Sequence, residues 1–267
     1  MVKLPEFMWT PDKIIAETNT WIWDPPGTEV LERADIYLSH RPVGWRSSLV
    51  HWSHCQTSQQ AEALIEEVIT RTQDAGKASI LWWLRSLDEP ANMADLLQAH
   101  GFVLEESSHI LARDVATDAL DAPHSAVKVS DIVMLEQSYT ILHEVFGRPL
   151  PSQEELEEDL ATLLGQPTKD SRWLIYIQGK AVATAMLEHP DRVVHDRVAH
   201  LGGAATLPAY RSQGAYRSLV TARLNEAVKQ GQEIAVVRAT VGTSEPILKK
   251  LGFDYVGTER CYSKVID

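Results

Sequence analysis

The stretch AHLGGAATLPAYRSQGAYRSLVTARLNEAVKQG, residues 199–231, constrains this chain more than any other. Its beginning alternates small residues in the pattern of a strand, which Pro208 ends. Its later part sets Tyr216, Leu219, Val220, Leu224, Ala227 and Val228 on one helical face, with Lys229 in the last turn and Gly231 where a C-terminal cap belongs. Between the two lies the turn from Ala209 to Gly214. A helix start exposes unpaired backbone N–H groups and the positive end of the helix dipole, so this arrangement is a seat for a phosphate. Gly214 allows close approach of the backbone, and Arg211 adds a positive charge on the same side.

After Gly231 the apolar run Ile234–Thr240 reads as a strand, and SEPILKKLGF as a short helix with Ser244 as N-cap, Pro246 in the first turn and Gly252 as terminator. A last strand spans 253–265. Arg211-x-x-Gly214 in this setting resembles the pyrophosphate loop of the GNAT superfamily, the acyl-CoA-dependent N-acyltransferases. The motif of that family is Q/R-x-x-G-x-G/A, and Tyr216 stands here where Gly or Ala is usual. The order strand, phosphate turn, helix, strand, helix, Gly-Phe, strand, with Leu251–Gly252–Phe253 in its place, extends the resemblance over about the last half of the chain. It implies acetyl-CoA as acyl donor, its pyrophosphate held by Arg211, Ser212, Gln213, Gly214, Ala215 and Tyr216. The backbone of Ala205, Thr206 and Leu207 would then run along the pantetheine arm.

The first half repeats that order. Strand patterns at 34–39 and 48–54 precede a helix that starts at the capping box Thr57-x-x-Gln60 and stops at Gly76; a strand at 79–84, a helix at 90–100, Gly101–Phe102 and a strand at 103–113 follow. LLQAHGF at 96–102 and ILKKLGF at 247–253 are matching terminators, so the chain reads as two copies of one unit. The first copy has CQTSQQ at the turn before its helix, without arginine or glycine, and therefore lacks a phosphate seat. The expected architecture is α/β of the α+β type: two GNAT-like units, each a mixed, mostly antiparallel sheet flanked by helices. Residues 1–113 would be the degenerate unit, 114–124 a linker, and 125–267 the acetyl-CoA-binding unit. Within the second, a strand at 126–129, a helix capped by Ser130 or Asp131, a helix opened by the box Ser152-x-x-Glu155, and a hairpin at 173–187 lead to the central strand.

Net charge is −12 in 267 residues. Residues 1–120 carry 18 acidic against 9 basic side chains and the remainder 19 against 16, so the less acidic half is the one that receives the polyanion. This balance argues against nucleic acid and anionic membranes as partners. Two distant cysteines, Cys55 and Cys261, suggest neither a disulfide framework nor a metal site, and a small half-buried side chain is a simpler account of Cys261 than a nucleophile. The N-terminal residues lack the pattern of a signal or transit peptide, which points to the cytoplasm. Seven of the eight tryptophans, among them Trp9, Trp21 and Trp23, precede residue 90 and read as core.

In such a family the amine attacks the thioester directly, so no enzyme nucleophile is needed; a proton acceptor and a donor for the thiolate are. The tyrosine that the resemblance places in the short last helix is Leu248 here. His200, sharing its strand face with Gly202, Ala204 and Thr206, is the candidate proton relay, with Tyr262, Glu259, Tyr255 and Glu188 as further candidates. The expected activity is transfer of an acetyl group from acetyl-CoA to an amine of a small molecule or peptide. A different acyl-CoA donor and a non-catalytic acyl-CoA-binding module are the alternatives.

Overall fold

The computed structural model describes residues 9–266 except 23, 26, 43, 87, 117–120, 166–169 and 190–196. Trp23, part of the linker and most of the loop before the central strand thus lie outside the described residues. The elements in chain order are α1 (Pro11–Asn19), β1 (Glu29–Arg33), β2 (Ile36–His40), β3 (Ser47–Ser53), α2 (Ser58–Asp74), β4 (Ser79–Arg85), α3 (Met93–Ala99) and β5 (Val103–Asp114). Then follow β6 (Ala126–Lys128), α4 (Ile132–Phe146), α5 (Gln153–Leu164), β7 (Ser171–Ile177), β8 (Lys180–Glu188), β9 (Val198–Thr206), α6 (Ala215–Lys229), β10 (Ile234–Thr240), α7 (Ser244–Lys250) and β11 (Asp254–Val265).

Local chemistry sets most of these boundaries. Thr57, Asp131 and Ser152 each accept a hydrogen bond from the third helical N–H, and Glu155 closes the box at Ser152. The hairpin β7–β8 turns through Gln178 and Gly179, both at positive φ, which suits the twist of the flanking strands. One cap differs from expectation. Ser244 is the first residue of α7, its hydroxyl accepting from Thr240 N–H at 3.0 Å, and Thr243 sits at the cap position without a side-chain bond. The sequence pattern also misses β1, because EVLER is mostly exposed at the sheet edge and carries no apolar alternation.

Among the described residues the strands form one mixed, mostly antiparallel sheet of eleven, ordered β1-β2-β3-β4-β11-β5-β10-β9-β8-β7-β6. β3 runs parallel to β4 and β9 parallel to β10; the other pairs are antiparallel. The last strand of each half crosses over: β5 pairs with β10 from Ser108 to Asp114, and β11 pairs with β4 from Glu259 to Val265. The two exchanged strands pair with each other at the centre. Arg113 of β5 donates to Leu251 O beside Gly252, and Lys264 of β11 reaches Gly101, lying 6.0 Å from the ring centroid of Phe102. Each Gly-Phe corner is therefore held by a cation from the other half.

One sheet face is covered by α2 and α3 over a core that includes Ile36, Leu38, Ile65, Ile80, Trp82 and Tyr262, and by α6 and α7 over one that includes Leu111, Val220, Ala235 and Leu248. The opposite face is covered by α4 and α5, and by α1, whose Ile14 and Ile15 pack on Ile110, Val198 and Val236. The parallel pair β9–β10 is joined only from Val198 to His200, opposite Ile234 to Val236. Beyond His200 the strands separate, and this opening faces the covering elements α1 and α4.

Candidate active site

β9 ends at Thr206, and Leu207 N–H still donates to Val182 O at 2.9 Å. A single 3-10 turn, Pro208–Tyr210, leads into the loop, where Ser212 (φ 61°) and Gly214 (φ 85°) both lie in the left-handed region. Arg211 is exposed and its Nε donates to Thr206 O at 3.3 Å, so its charge lies beside the strand end. No side chain caps α6, which opens at Ala215. Its first N–H groups thus keep the capacity to meet an anion. The equivalent start of α2 differs: Thr57 accepts from Gln60 N–H at 3.2 Å and the Gln60 amide oxygen from Gln56 N–H at 3.0 Å. A cavity of about 660 Å³ opens near α3 and β11, and another of about 630 Å³ beside the start of α2 is lined by Asp35, Glu67 and Glu89, a poor setting for a polyanion.

Two loop residues are used otherwise than expected. A Cβ on Gly214 would come within 2.4 Å of Pro123 Cγ, so the linker itself already occupies the space that the glycine leaves. Tyr216 turns inward against the core beneath α6 and hydrogen bonds to Arg223; burial pushes its phenol up, with the guanidinium acting the other way. A large residue is accommodated there because it points away from the turn.

Arg223 is a residue that sequence reasoning passed over. It is 1% exposed, and it donates to Leu219 O at 3.0 Å, Met186 O at 3.1 Å and Gly202 O at 3.3 Å. Between the pairs Thr184–Ala205 and Met186–Gly202, β9 has one residue more than β8, and this bulge bends the strand beside the opening. Arg223 satisfies carbonyls on both strands at the disrupted rung.

His200 and Glu188 face each other across β8 and β9, and His200 Nδ1 lies 2.8 Å from Glu188 Oε2. A Cβ on Gly202 would stand 2.3 Å from that carboxylate oxygen, so the glycine leaves room for Glu188 to fold across the strand. Burial pushes the Glu188 carboxyl up, but the hydrogen bond and charge of His200, aided by Arg172 and Arg238, outweigh it and hold the group below its ordinary value. With Nδ1–H directed at the carboxylate, Nε2 is the nitrogen that can take a proton. The ring of Trp21, from the segment after α1, stacks on the imidazole with centroids 4.2 Å apart and planes at 29°. The first half of the chain therefore supplies one wall of the opening.

The remaining candidates lie elsewhere. Glu259 is buried under α1 between Arg85, 2.9 Å away, and Arg238, 3.0 Å away. Its carboxylate neutralises two guanidiniums from different halves and belongs to the scaffold. Glu259→Gln removes the carboxylate that both guanidiniums share and is expected to destabilise the protein by about 3 kcal/mol, the low end for a broken buried pair because Arg238 is partly exposed and Asp88 still lies near Arg85. Urea unfolding checks this, and a loss below about 1 kcal/mol contradicts the scaffold role. Tyr262 is on the opposite face, in the core with Trp82 and Phe102, because the exchange of β11 carries it into the first half. Tyr255 is exposed, its ring edge-on to His109. Leu248 is fully buried. Burial, with Glu106, Glu259 and Glu105 adding to it, pushes the Cys261 thiol up to about 12, which keeps it protonated.

A splayed parallel pair beside an uncapped helix start, flanked by helices on both faces, defines the class of the fold, a mixed α/β sheet covered on both sides. Residues 131–256 match the family model described as "Acetyltransferase (GNAT) domain". Over these residues the chain is similar to a GNAT acetyltransferase domain. Among solved structures it is similar to a GCN5-related N-acetyltransferase from Kribbella flavida, at 15% identity over 97% of this chain and 96% of that one, TM-score 0.70. It is also similar to one from Sphaerobacter thermophilus, at 14% identity over 90% and 76%, TM-score 0.63. A tandem GNAT protein from the clavulanic acid biosynthesis pathway matches at 12% identity over 92% and 85%, TM-score 0.63. At such identities the likeness concerns the fold. No curated protein matches the chain in sequence. Among the described residues no helix is long and apolar enough to cross a membrane, and no group of three or more His, Cys, Asp or Glu could hold a metal ion.

Proposed function

We propose that the chain is an N-acetyltransferase that moves the acetyl group of acetyl-CoA to an amine of a small molecule or peptide. The reading is carried by one juxtaposition: the uncapped start of α6 after Arg211-x-x-Gly214, and the His200–Glu188 pair at the opening that leads to it. The pyrophosphate sits on the N–H groups of 212–216, and the pantetheine arm runs along Ala205, Thr206 and Leu207 into the opening. The amine nitrogen attacks the thioester carbonyl carbon while His200 Nε2 takes its proton; the C–N bond forms, the C–S bond breaks and the thiolate leaves to be protonated. Glu188 holds the imidazole and stabilises its charged form. Residues 1–113 are a second copy of the unit that has lost the phosphate seat and serves to complete the sheet and wall the acceptor side.

The test is a calorimetric titration with acetyl-CoA, followed by thiol release in the presence of a panel of amines. Saturable binding and amine-dependent thiol release are expected. Gly214→Asp, which drives a side chain into the place of Pro123 and adds a negative charge to the loop, is expected to weaken acetyl-CoA at least about a hundredfold. Because the new side chain also displaces Pro123, the melting temperature of the free variant is measured beside it. Equal affinity in both proteins would falsify the loop assignment. The burial of Leu248 where the family resemblance places a tyrosine favours a second reading, an acyl-CoA-binding module without turnover. Tight binding with no thiol release across the panel selects it.

A further inference from the structure

We propose that the segment Asp121–His124 is a brace for the phosphate loop and that His124 is its positioning residue, turning the Gly214 N–H toward the cofactor. The proposal rests on the reading of the α6 start as the pyrophosphate seat.

Four contacts join the segment to the loop. His124 Nε2–H donates to Gln213 O at 2.7 Å, and His124 N–H donates to Ser218 Oγ at 3.0 Å. Ser218 Oγ in turn donates to Gly214 O at 3.2 Å. The Pro123 ring fills the place of a Cβ on Gly214, and Asp121 lies 3.7 Å from Arg217. The last of these is exposed and contributes little. The others fix both peptide units that flank Gly214.

The geometry of a peptide makes the first contact directional. In a trans peptide the C=O and the next N–H point to opposite sides of the chain. With the Gln213 carbonyl held by His124, the Gly214 N–H must face the other way, away from the linker. The loop needs such holding, because Ser212 at φ 61° occupies a region that L residues seldom adopt and Gly214 at φ 85° is free to leave it. From within, the Arg211 and Gln213 side chains bond to Thr206 O and Ala209 O, and Arg211 N–H to Pro208 O. The turn before α2 is closed by its own residues, Thr57 accepting from Gln60 N–H and Gln60 Oε1 from Gln56 N–H, so the brace accompanies the loop that must stay open to a ligand.

A preformed set of donors binds an anion without first ordering itself, and loss of the brace therefore appears as weaker cofactor binding. The experiment titrates the full-length protein with CoA. His124→Ala is expected to raise the dissociation constant about five- to tenfold, and the KM for acetyl-CoA with it, while kcat and the melting temperature of the free protein stay near those of the wild type. His124→Gln, which keeps a side-chain N–H donor, is expected to recover most of the affinity. Ser218→Ala, which frees the His124 backbone, weakens CoA in the same direction and stands in if His124→Ala does not fold. Equal CoA affinity of wild type and His124→Ala overturns the brace, as does His124→Gln binding as weakly as His124→Ala. A wild-type protein that does not bind CoA at all overturns the phosphate-seat reading instead.

Discussion

Expressed without residues 1–113, the chain is expected to be insoluble and to lose all binding of acetyl-CoA, although every residue of the family match is retained. The cause is β5. Its removal strips one edge of β10 from Ile234 to Thr240, and it leaves β11 without either of its neighbours, since β4 goes as well. Ile110 and Leu111, both fully buried, leave with β5, exposing the apolar faces of Val236 and Val237. Supplying residues 1–116 as a separate chain in the same cell is expected to restore solubility, because the missing strand is then offered in trans. Size-exclusion chromatography and far-UV circular dichroism read the outcome. A soluble fragment that unfolds cooperatively on its own would show that the exchanged strands contribute little.

His200→Ala is expected to lower kcat/KM by about 10²- to 10⁴-fold, the range for removing a positioned proton acceptor, with acetyl-CoA affinity nearly unchanged. Glu188→Gln keeps the hydrogen-bond acceptor but removes the charge that favours the imidazolium, so a smaller loss, about tenfold or more, is expected. Trp21 gives a control from the other half of the chain: it stacks on the imidazole face, so Trp21→Leu is expected to affect the acceptor KM more than the chemistry. A His200→Ala protein with wild-type turnover removes this histidine from the mechanism.

The sequence was legible wherever the chemistry is local. Caps at Thr57, Asp131 and Ser152, the start of α6 at Gly214 and the paired Gly-Phe corners depend on residues a few positions apart, and the fold class follows from their order. What was hidden depends on register between distant strands. His200 faces Glu188 across β8 and β9, but the intervening loop of unpatterned polar residues gave no way to count the pairing. Tyr262 and Glu259 are further candidates on the sequence alone, which does not show that β11 pairs with β4 of the other half. Alternation places them on opposite faces of β11, and only the exchange decides that one enters the first core while the other lies between Arg85 and Arg238. The brace was equally invisible, because a proline and a histidine in a polar linker look like any other turn.

The crossing of β5 and β11 also fixes when this protein becomes whole during its synthesis. β5 emerges more than a hundred residues before the strands that flank it, β10 and β11. Until residue 265 has left the ribosome, the first half carries an unpaired edge on β4 and holds a strand it cannot use. Contacts between such distant segments form slowly and leave sticky edges open meanwhile. Growth of the nascent chain therefore sets a window in which chaperones have both apolar sheets to guard, and a pause in synthesis between β5 and β11 would lengthen it.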